Sequence, residues 1–375
     1  MAATTFTADD YRHMARALQL AARGLAGARP NPRVGCVLVK AGRVVGEGWH
    51  AYAGGPHAEI AALEAAGAQA RGATGYVTLE PCRHQGRTGP CTTALIDAGV
   101  REVVAAMEDP NPKMAGEGLA LLRAAGIATR TGLLAAEAEQ LNAGFLRRMR
   151  GGIPYVRVKV AMSLDGRSAL ASGESRWITG AAARLDVQRW RARSCAVMTG
   201  VGTVVADDPR LNVRETAALE GMREQPLRVV LDTKLRTPPR ARMFAEPGRV
   251  LIFTAASDGG RAEKLRAGGA EIETLPAPGG RLDPAAVLLR LAQREINEVW
   301  VEAGPRLTGA LLQSRLADEL IVYAAPRLLG HGARAVAELP PLATLASAPE
   351  WNWRDVRVCG ADLRLTLTPK SNGRK

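Results

Sequence analysis

Three residues able to bind a soft divalent metal and one able to move a proton fall in a fixed order in this chain. They are His57-Ala58-Glu59, then Pro81-Cys82, and after eight further residues Cys91. One histidine and two cysteines make a zinc site with three protein ligands, which leaves the fourth position open to water. Zinc lowers the pKa of that water towards ~7, so hydroxide is available at neutral pH. Glu59 is then the proton shuttle. A carboxylate there can take the proton from the water and pass it to a leaving amino group, the acid/base work that loss of ammonia requires.

The elements around these residues put them within reach of one another. Gly54-Gly55-Pro56 punctuates the chain, and His57 to Ala66 is rich in alanine, leucine and glutamate, so a helix starts at the histidine. In a helix body residues two apart diverge, but in the first turn His57 and Glu59 can both reach a site beyond the helix end. Cys91 precedes a second helix, Thr92 to Ala98, whose dipole favours its thiolate. Val34 to Val39 and Arg43 to Trp49 read as a hairpin, with strands at Tyr76 to Glu80 and Arg101 to Met107 and a helix at Gly118 to Ala125. That alternation predicts an α/β domain with largely parallel strands.

The stretch Arg147 to Pro154 is polar, glycine-rich and ends in proline, so a domain boundary is placed near residue 150. Beyond it, apolar runs at Tyr155 to Ala161, Cys195 to Thr199, Leu227 to Leu231, Arg249 to Phe253, Glu298 to Val301 and Leu320 to Ala324 read as buried strands of a second α/β domain. Gly200-Val201-Gly202-Thr203 lacks the third glycine of a dinucleotide fingerprint. The Glu302 to Gly309 run, with Gly304, Pro305, Arg306 and Leu307 between a strand and a helix, is a better phosphate cradle.

Composition sets the limits. The chain has 375 residues, 47% hydrophobic and 23% charged, which fits two globular domains and excludes disordered and fibrous classes. The first 25 residues read as an amphipathic helix opened by a capping box of Thr7 and Asp10, not as a signal peptide. No apolar run approaches the roughly 20 residues that cross a bilayer. Five scattered cysteines argue against a disulfide framework, and a cytoplasmic protein with no membrane partner is expected. The net charge of +13, most of its excess after residue 150, favours anionic partners such as phosphorylated metabolites and cofactors. Aromatic residues are only 4% and no basic run stands out, which makes nucleic acid the weaker partner.

The His-x-Glu and Pro-Cys pieces follow the order of the zinc-deaminase signature. The fuller run Pro81-Cys82-Arg83-His84-Gln85-Gly86-Arg87-Thr88-Gly89-Pro90-Cys91 resembles the bacterial bifunctional riboflavin-biosynthesis deaminase/reductases, the RibD family. Asn31-Pro32-Arg33-Val34-Gly35, Gly54 to Glu59 and Asp109-Pro110-Asn111-Pro112 resemble that family's segments in the same order. Gly89 departs from it, standing where the family more often has proline, and removes no ligand. The resemblance continues through Lys159 to Arg167, Gly173 to Thr179, Asp207 to Leu211 and the Gly304 loop.

The resemblance implies a cytidine-deaminase-like three-layer domain over residues 1–149 and a dihydrofolate-reductase-like α/β domain over residues 150–375. It also implies Zn²⁺ and NADPH as cofactors, a phosphorylated pyrimidine ribotide as substrate, and leaves homo-oligomerisation open. Zinc would sit on His57, Cys82 and Cys91, with Glu59 catalytic. Asn31, His50, His84, Asp109 and Asn111 would line the pyrimidine and ribose-phosphate pocket. In the second half Ala161, Trp177, Thr203, Asp207 and Gly304 to Leu307 would contact NADPH, and Ser175, Arg191, Leu211, Arg214 and Glu302 the substrate. Lys159 and Asp165 would border the reactive sugar carbon.

Two other classes share the metal motif. A nucleic-acid deaminase with a C-terminal binding domain would need aromatic stacking residues and a basic groove. A zinc-stabilised interaction module would need a fourth ligand, for which His84 is the local choice, and no essential Glu59.

Overall fold

A computed structural model of the chain describes residues 5–83, 89–111, 114–215 and 221–370. It falls into two compact units, one through Gly152, to which a short stretch ending at Arg223 also belongs, and one from Ile153 onward. Among the described residues no helix is long and apolar enough to cross a membrane.

The first unit opens with α1 (Ala8–Ala22). The expected capping box is present: Asp10 N–H donates to Thr7 Oγ1 at 3.2 Å and Thr7 N–H to an Asp10 carboxylate oxygen at 2.8 Å. Strands β1 (Gly35–Lys40) and β2 (Arg43–Trp49) form the hairpin, and β3 (Thr74–Val77), β4 (Glu102–Ala105) and β5 (Ala128–Thr131) complete a sheet of order β2-β1-β3-β4-β5. Helices α2 (Ala58–Ala66), α3 (Cys91–Asp97), α4 (Glu117–Ala124), α5 (Ala135–Leu141) and α6 (Ala143–Gly151) follow in chain order.

Glycines set the layer spacing. A Cβ on Gly35 would lie 2.0 Å from the Ala17 carbonyl of α1, and one on Gly48 would lie 2.3 Å from the Ala58 carbonyl of α2. Gly48 pairs with Cys36, the neighbour of Gly35, so the two helices lie on opposite faces of the sheet. Bare backbone beneath α2 lets its first turn, with His57 and Glu59, sit hard against the strands.

The second unit is a nine-stranded sheet. Its strands are β6 (Tyr155–Ser163), β8 (Ala196–Gly200), β9 (Leu227–Leu231), β10 (Val250–Thr254), β11 (Ala270–Thr274), β12 (Glu298–Glu302), β13 (Glu319–Ala325), β15 (Trp351–Cys359) and β16 (Asp362–Pro369). A two-stranded ribbon pairs β7 (Arg167–Ala169) with β14 (Arg334–Ala335). The helices are α7 (Ala181–Arg193), α8 (Val201–Asp207), α9 (Gly259–Ala267), α10 (Pro284–Gln293) and α11 (Pro305–Gln313). The order is β11-β10-β9-β8-β12-β6-β13-β16-β15, parallel from β11 to β13 and antiparallel in the last two pairings. Ala196 and Met198 belong to one apolar core and Val197 to another on the opposite face. Burial on both faces explains why these strands read as unbroken apolar runs.

This order fixes where a ligand can bind. From β8 the chain goes through α8 to β9 on one side, while from β12 it goes through α11 to β13 on the other. The crevice at the C-terminal ends of β8 and β12 is therefore the topological switch point, where open α/β sheets take their ligands.

One expectation needs correcting, and two elements were not read from the sequence. Strands are not mainly parallel in the first unit, because β1 runs antiparallel to both β2 and β3. Arg147 to Gly151, within the stretch where the boundary is placed, form the end of α6, a helix that was not expected, which stops at Gly152 with φ +69°. The closing β15–β16 hairpin, absent from the sequence reading, alternates charged and apolar residues on a half-exposed edge instead of showing an apolar run.

Candidate functional site

In the first unit the metal-binding residues converge. His57 is the N-cap residue of α2, Cys91 is the first residue of α3 and Cys82 lies in the loop between β3 and α3. His57 Nδ1 lies 3.2 Å from Cys91 Sγ and 3.5 Å from Cys82 Sγ, and the three ligand atoms all fall within 4.8 Å of one another. Tetrahedral zinc with its usual bond lengths sets N···S edges of roughly 3.5 Å, so these donors fit that ion. The Cys91 N–H also donates to Cys82 Sγ at 3.5 Å. Hydrogen bonding from the Cys91 thiol, helped by His57, draws Cys82 down to about 4, and the same bond pushes Cys91 up. One thiolate is thus favoured before any metal contributes.

Glu59 is only 4% exposed. Burial, then the charge of Cys82, pushes its carboxyl up to about 7. A carboxyl titrating there can both accept and return a proton near neutral pH. The His50 ring stands 5.4 Å from that of His57, edge to face. His50 Nδ1 is 3.0 Å from the Pro56 carbonyl, which can only accept, so that nitrogen carries the proton. His50 Nε2, at 3.1 Å, then accepts from the Asn31 amide. Burial lowers the pKa of His50, in keeping with a neutral ring.

Asp109 and Asn111 lie after β4, where Asp109 Oδ1 accepts the Asn111 N–H at 2.8 Å. Glu80, two residues before Cys82, was not foreseen. Its carboxylate, 4% exposed, accepts the backbone N–H groups of Asp109, Gly116, Gly118 and Leu119 at 2.7 to 3.1 Å. It ties the Asp109 loop and the start of α4 to the strand that leads into the metal loop. Its place in Glu80-Pro81-Cys82 was the only available signal. His84 lies outside the described residues, and so does the question of whether it is a fourth ligand.

In the second unit the expected residues gather at the switch point. Gly304 caps α11 with its own backbone, no side chain fills the cap, and Pro305 takes the first helical position. With Pro305 lacking an N–H and the Gly304 and Thr308 N–H groups bonded, Arg306 and Leu307 supply the first-turn N–H groups that could meet an anion. Thr203 Oγ1 on α8 accepts the Gly304 N–H at 3.1 Å, bridging the two strand ends. This uncapped, side-chain-free start suits a dinucleotide phosphate. Arg306 is exposed and pairs with Glu338 at 3.5 Å, while Leu307 packs on the core. Ala161 lies on β6, beside β12. Arg176, between Ser175 and Trp177, donates to the Asp207 carbonyl, and Arg184 stacks 4.6 Å over the exposed Trp177 ring.

Beside this crevice Arg191 holds Glu302 with two bonds of 2.5 and 2.9 Å, and Trp300 Nε1 donates to the same carboxylate at 2.9 Å. Burial alone would raise the Glu302 pKa, but the Arg191 charge wins and keeps it at about 2. Lys159 pairs in register with Glu302, and burial lowers its pKa against the pull of that carboxylate. Leu211 is buried and Arg214 exposed. Asp165 spends its carboxylate on Ser163 Oγ, Leu329 N–H and Gly330 N–H, so it fastens the turn after β6 to the one after β13.

A metal-ready His-Cys-Cys cluster with a buried carboxylate, followed by a sheet with an anion cradle at its switch point, defines a hydrolytic deaminase joined to a nucleotide-dependent reductase. Comparison with known proteins agrees. The family described as cytidine and deoxycytidylate deaminase zinc-binding region matches residues 7–107, and RibD C-terminal domain matches residues 154–365. The Escherichia coli riboflavin biosynthesis protein RibD is 51% identical, over 96% of this chain and 99% of that one. The structure of Acinetobacter baumannii RibD superposes with a TM-score of 0.90 at 46% identity, covering 97% and 99% of the two chains. A Thermotoga maritima protein, titled a diaminohydroxyphosphoribosylaminopyrimidine deaminase and 5-amino-6-(5-phosphoribosylamino)uracil reductase, gives 0.85 at 33% identity, covering 96% and 99%. The chain belongs to the RibD family of riboflavin-biosynthesis deaminase/reductases. Its folds are the cytidine-deaminase-like and dihydrofolate-reductase-like ones, and its cofactors are zinc and NADPH. A reductase half rules out the nucleic-acid-binding domain considered from sequence.

Proposed function

We propose that residues 1–149 hydrolyse the 2-amino group of 2,5-diamino-6-(5-phosphoribosylamino)pyrimidin-4(3H)-one and that residues 150–375 reduce the product to 5-amino-6-(5-phosphoribitylamino)uracil. The observation that carries the first half is the buried Glu59 beside the convergent His57, Cys82 and Cys91. Zinc held by those three supplies, when bound, the Lewis acidity that brings ionisation of water to near neutral pH. Glu59 takes the proton from the attacking water and delivers it to the departing nitrogen, so water adds at the ring carbon and ammonia leaves. Neutral His50 fixes the Asn31 amide, whose oxygen is left to hold a ring N–H of the substrate. Asp109 and Asn111, on the loop tied down by Glu80, and His84 are the remaining contacts to the base and ribose phosphate.

In the second half NADPH supplies a hydride to C1′ of the ring-opened ribose. Gly304 to Leu307, Thr203, Asp207, Ala161 and Trp177 hold the nucleotide. Ser175, Lys159, Arg191, Leu211, Arg214 and Glu302 hold the sugar phosphate, and Asp165 fixes the turn that borders it. Five cysteines without a disulfide support a reducing, cytoplasmic setting. Incubating the zinc-loaded protein with the diaminopyrimidinone ribotide tests this. Ammonia should appear without NADPH, and NADPH absorbance should fall only after ammonia does; neither signal would end the substrate assignment.

We also propose a homodimer formed through β15 and β16. Trp353, Val356 and Val358 stand on one face of this edge hairpin, paired in register with Leu367, Leu365 and Leu363, and Trp353 is 66% and Val358 77% exposed. An apolar edge of this kind needs a cover. Val358→Lys should convert a dimer to a monomer in sedimentation velocity; an unchanged mass, or a monomeric parent, would overturn this.

A further inference from the structure

Around the sugar-phosphate end of the reductase site three arginines face two carboxylates. Arg191 pairs with Glu302, and Arg210 pairs with Glu246 at 3.0 Å. Among the described residues no carboxylate forms an ion pair with Arg214, though Glu246 and Glu302 lie near enough to act on its charge. The Arg214 guanidinium instead donates through Nη1 to Asn212 Oδ1 at 2.7 Å. The other side of that amide is committed too, because Asn212 Nδ2 donates to Glu246 Oε2 at 2.6 Å. The Asn212 backbone carbonyl accepts Arg191 Nη1 at 2.8 Å. Asn212, 3% exposed, therefore touches both arginines and separates Glu246 from Arg214.

The surrounding segment is held by amides as well. Gln225 bonds Val213 in both directions, at 2.8 and 2.9 Å, and Gln188 accepts the Arg214 N–H at 3.0 Å. The loop that carries Glu246 is anchored by the fully buried Arg228, which donates to the carbonyls of Met243, Glu246, Pro247 and Gly248. Amides fix geometry without adding charge. A carboxylate in place of Asn212 would neutralise Arg214, and its second oxygen would face the Glu246 carboxylate where the Asn212 amide now donates at 2.6 Å.

We propose that Asn212, oriented by Glu246, is a positioning residue that presents Arg214 as an unpaired cation to the substrate phosphate and thereby sets the enzyme's preference for the phosphorylated sugar. This rests on the reading of Arg214 as a contact of that phosphate. Arg191, neutralised by Glu302, contributes shape and hydrogen bonds, whereas Arg214 contributes net charge. Phosphate recognition then depends on a residue that does not touch the phosphate.

The test compares kcat/KM of the reductase for 5-amino-6-(5-phosphoribosylamino)uracil and for its dephosphorylated form. Asn212→Asp, nearly isosteric and made together with Glu246→Gln so that the new carboxylate faces an amide donor, should cut the preference for the phosphorylated compound about tenfold, mainly through KM, as expected when the charge of Arg214 is neutralised. Glu246→Ala, which frees the Asn212 amide to rotate, should move the ratio the same way by about threefold. An unchanged ratio in both variants, or a loss confined to kcat, would overturn the positioning role. Arg214→Ala separates the two readings. If it lowers the ratio while the Asn212→Asp and Glu246→Gln double variant and Glu246→Ala do not, only the positioning proposal fails; if it leaves the ratio unchanged, Arg214 is not the phosphate contact and both fall.

Discussion

In the first unit the side chains proposed for the chemistry come from residues 31 to 91 and lie close to one another, His57 beside both cysteines and His50 beside His57. In the second the proposed residues are spread over residues 159 to 307, on β6, α7, α8, β12, the start of α11 and the loops between them, and are tied together by long-range bonds such as Arg191 to Glu302 and Thr203 to Gly304. Their electrostatics differ as well. The metal cluster concentrates titratable groups that shift one another, while the Arg191–Glu302 cluster of the second unit fixes its charges with ion pairs and neutral amides. A compact, mutually shifted cluster suits proton transfer. A dispersed set of fixed charges suits the binding of two anionic ligands whose own chemistry does the work.

If that division is right, the units should fail independently. Glu59→Gln keeps the size of the side chain but cannot carry a proton, and ammonia release should fall about 10²–10⁴-fold. NADPH oxidation with the already deaminated pyrimidine should stay at the parent rate. Chelating the zinc should reproduce the same asymmetry, and a parallel loss of both activities would break the comparison.

A smaller expected effect falls on the second unit alone. Arg157 on β6 is 3% exposed and bonds Glu298 on β12 and Glu319 on β13, at 2.6 Å each. Arg157→Leu removes the cation that Glu298 and Glu319 share in the middle of the sheet, leaving Glu298 the longer 3.8 Å contact with Arg193, at a cost of about 3–5 kcal/mol. Urea unfolding followed by loss of reductase activity should shift to lower denaturant, with zinc retention unchanged. An equal shift in zinc release would mean that the units are not energetically separate.

These contrasts also explain what could be read from sequence. The capping box at Thr7, the β1–β2 hairpin and the metal triad are short-range patterns in which one residue's partner lies a few positions away or in an ordered motif. Glu80 escaped because its four partners are backbone N–H groups 29 to 39 residues downstream. Asn212 escaped for the same reason: its meaning depends on Glu246 and Arg191, each on a distant segment. The roles in the second half came through resemblance, since a strand end with a lysine or a turn with an arginine has no spacing that singles it out. Helix α6 went unread because Arg147, Arg148 and Arg150 mask its pattern, although Leu146 anchors a buried helical face.

Acid sensitivity offers a third contrast of about 3 kcal/mol. Glu302 is held at about 2, below the ordinary 4.5 of a glutamate, by Arg191. A depressed carboxylate stabilises the fold fully above its unfolded value, and that contribution is lost as pH falls through the folded one. The second unit should therefore weaken between about pH 4.5 and 2, by about 3 kcal/mol from this group. Glu302→Gln should flatten its stability curve over that window. A variant as acid-sensitive as the parent would show that another carboxylate governs the unit's acid response.

The smallest effect sharpens the comparison from the other side, because it tests whether the first unit also relies on a remote positioning group. In Glu80→Gln one oxygen becomes an NH₂, so either the Asp109 and Gly116 N–H groups or those of Gly118 and Leu119 face a donor instead of an acceptor. Each lost acceptor costs about 1–2 kcal/mol, and the strain falls on the loop that carries Asp109 and Asn111 rather than on the metal ligands. Zinc content and the turnover number for deamination should hold while KM for the pyrimidine rises about 5–30-fold, with the reductase unaffected. Zinc loss instead would show that Glu80 supports the Cys82 loop. The first unit's chemistry and its substrate binding would then share one support, unlike the dispersed arrangement of the second.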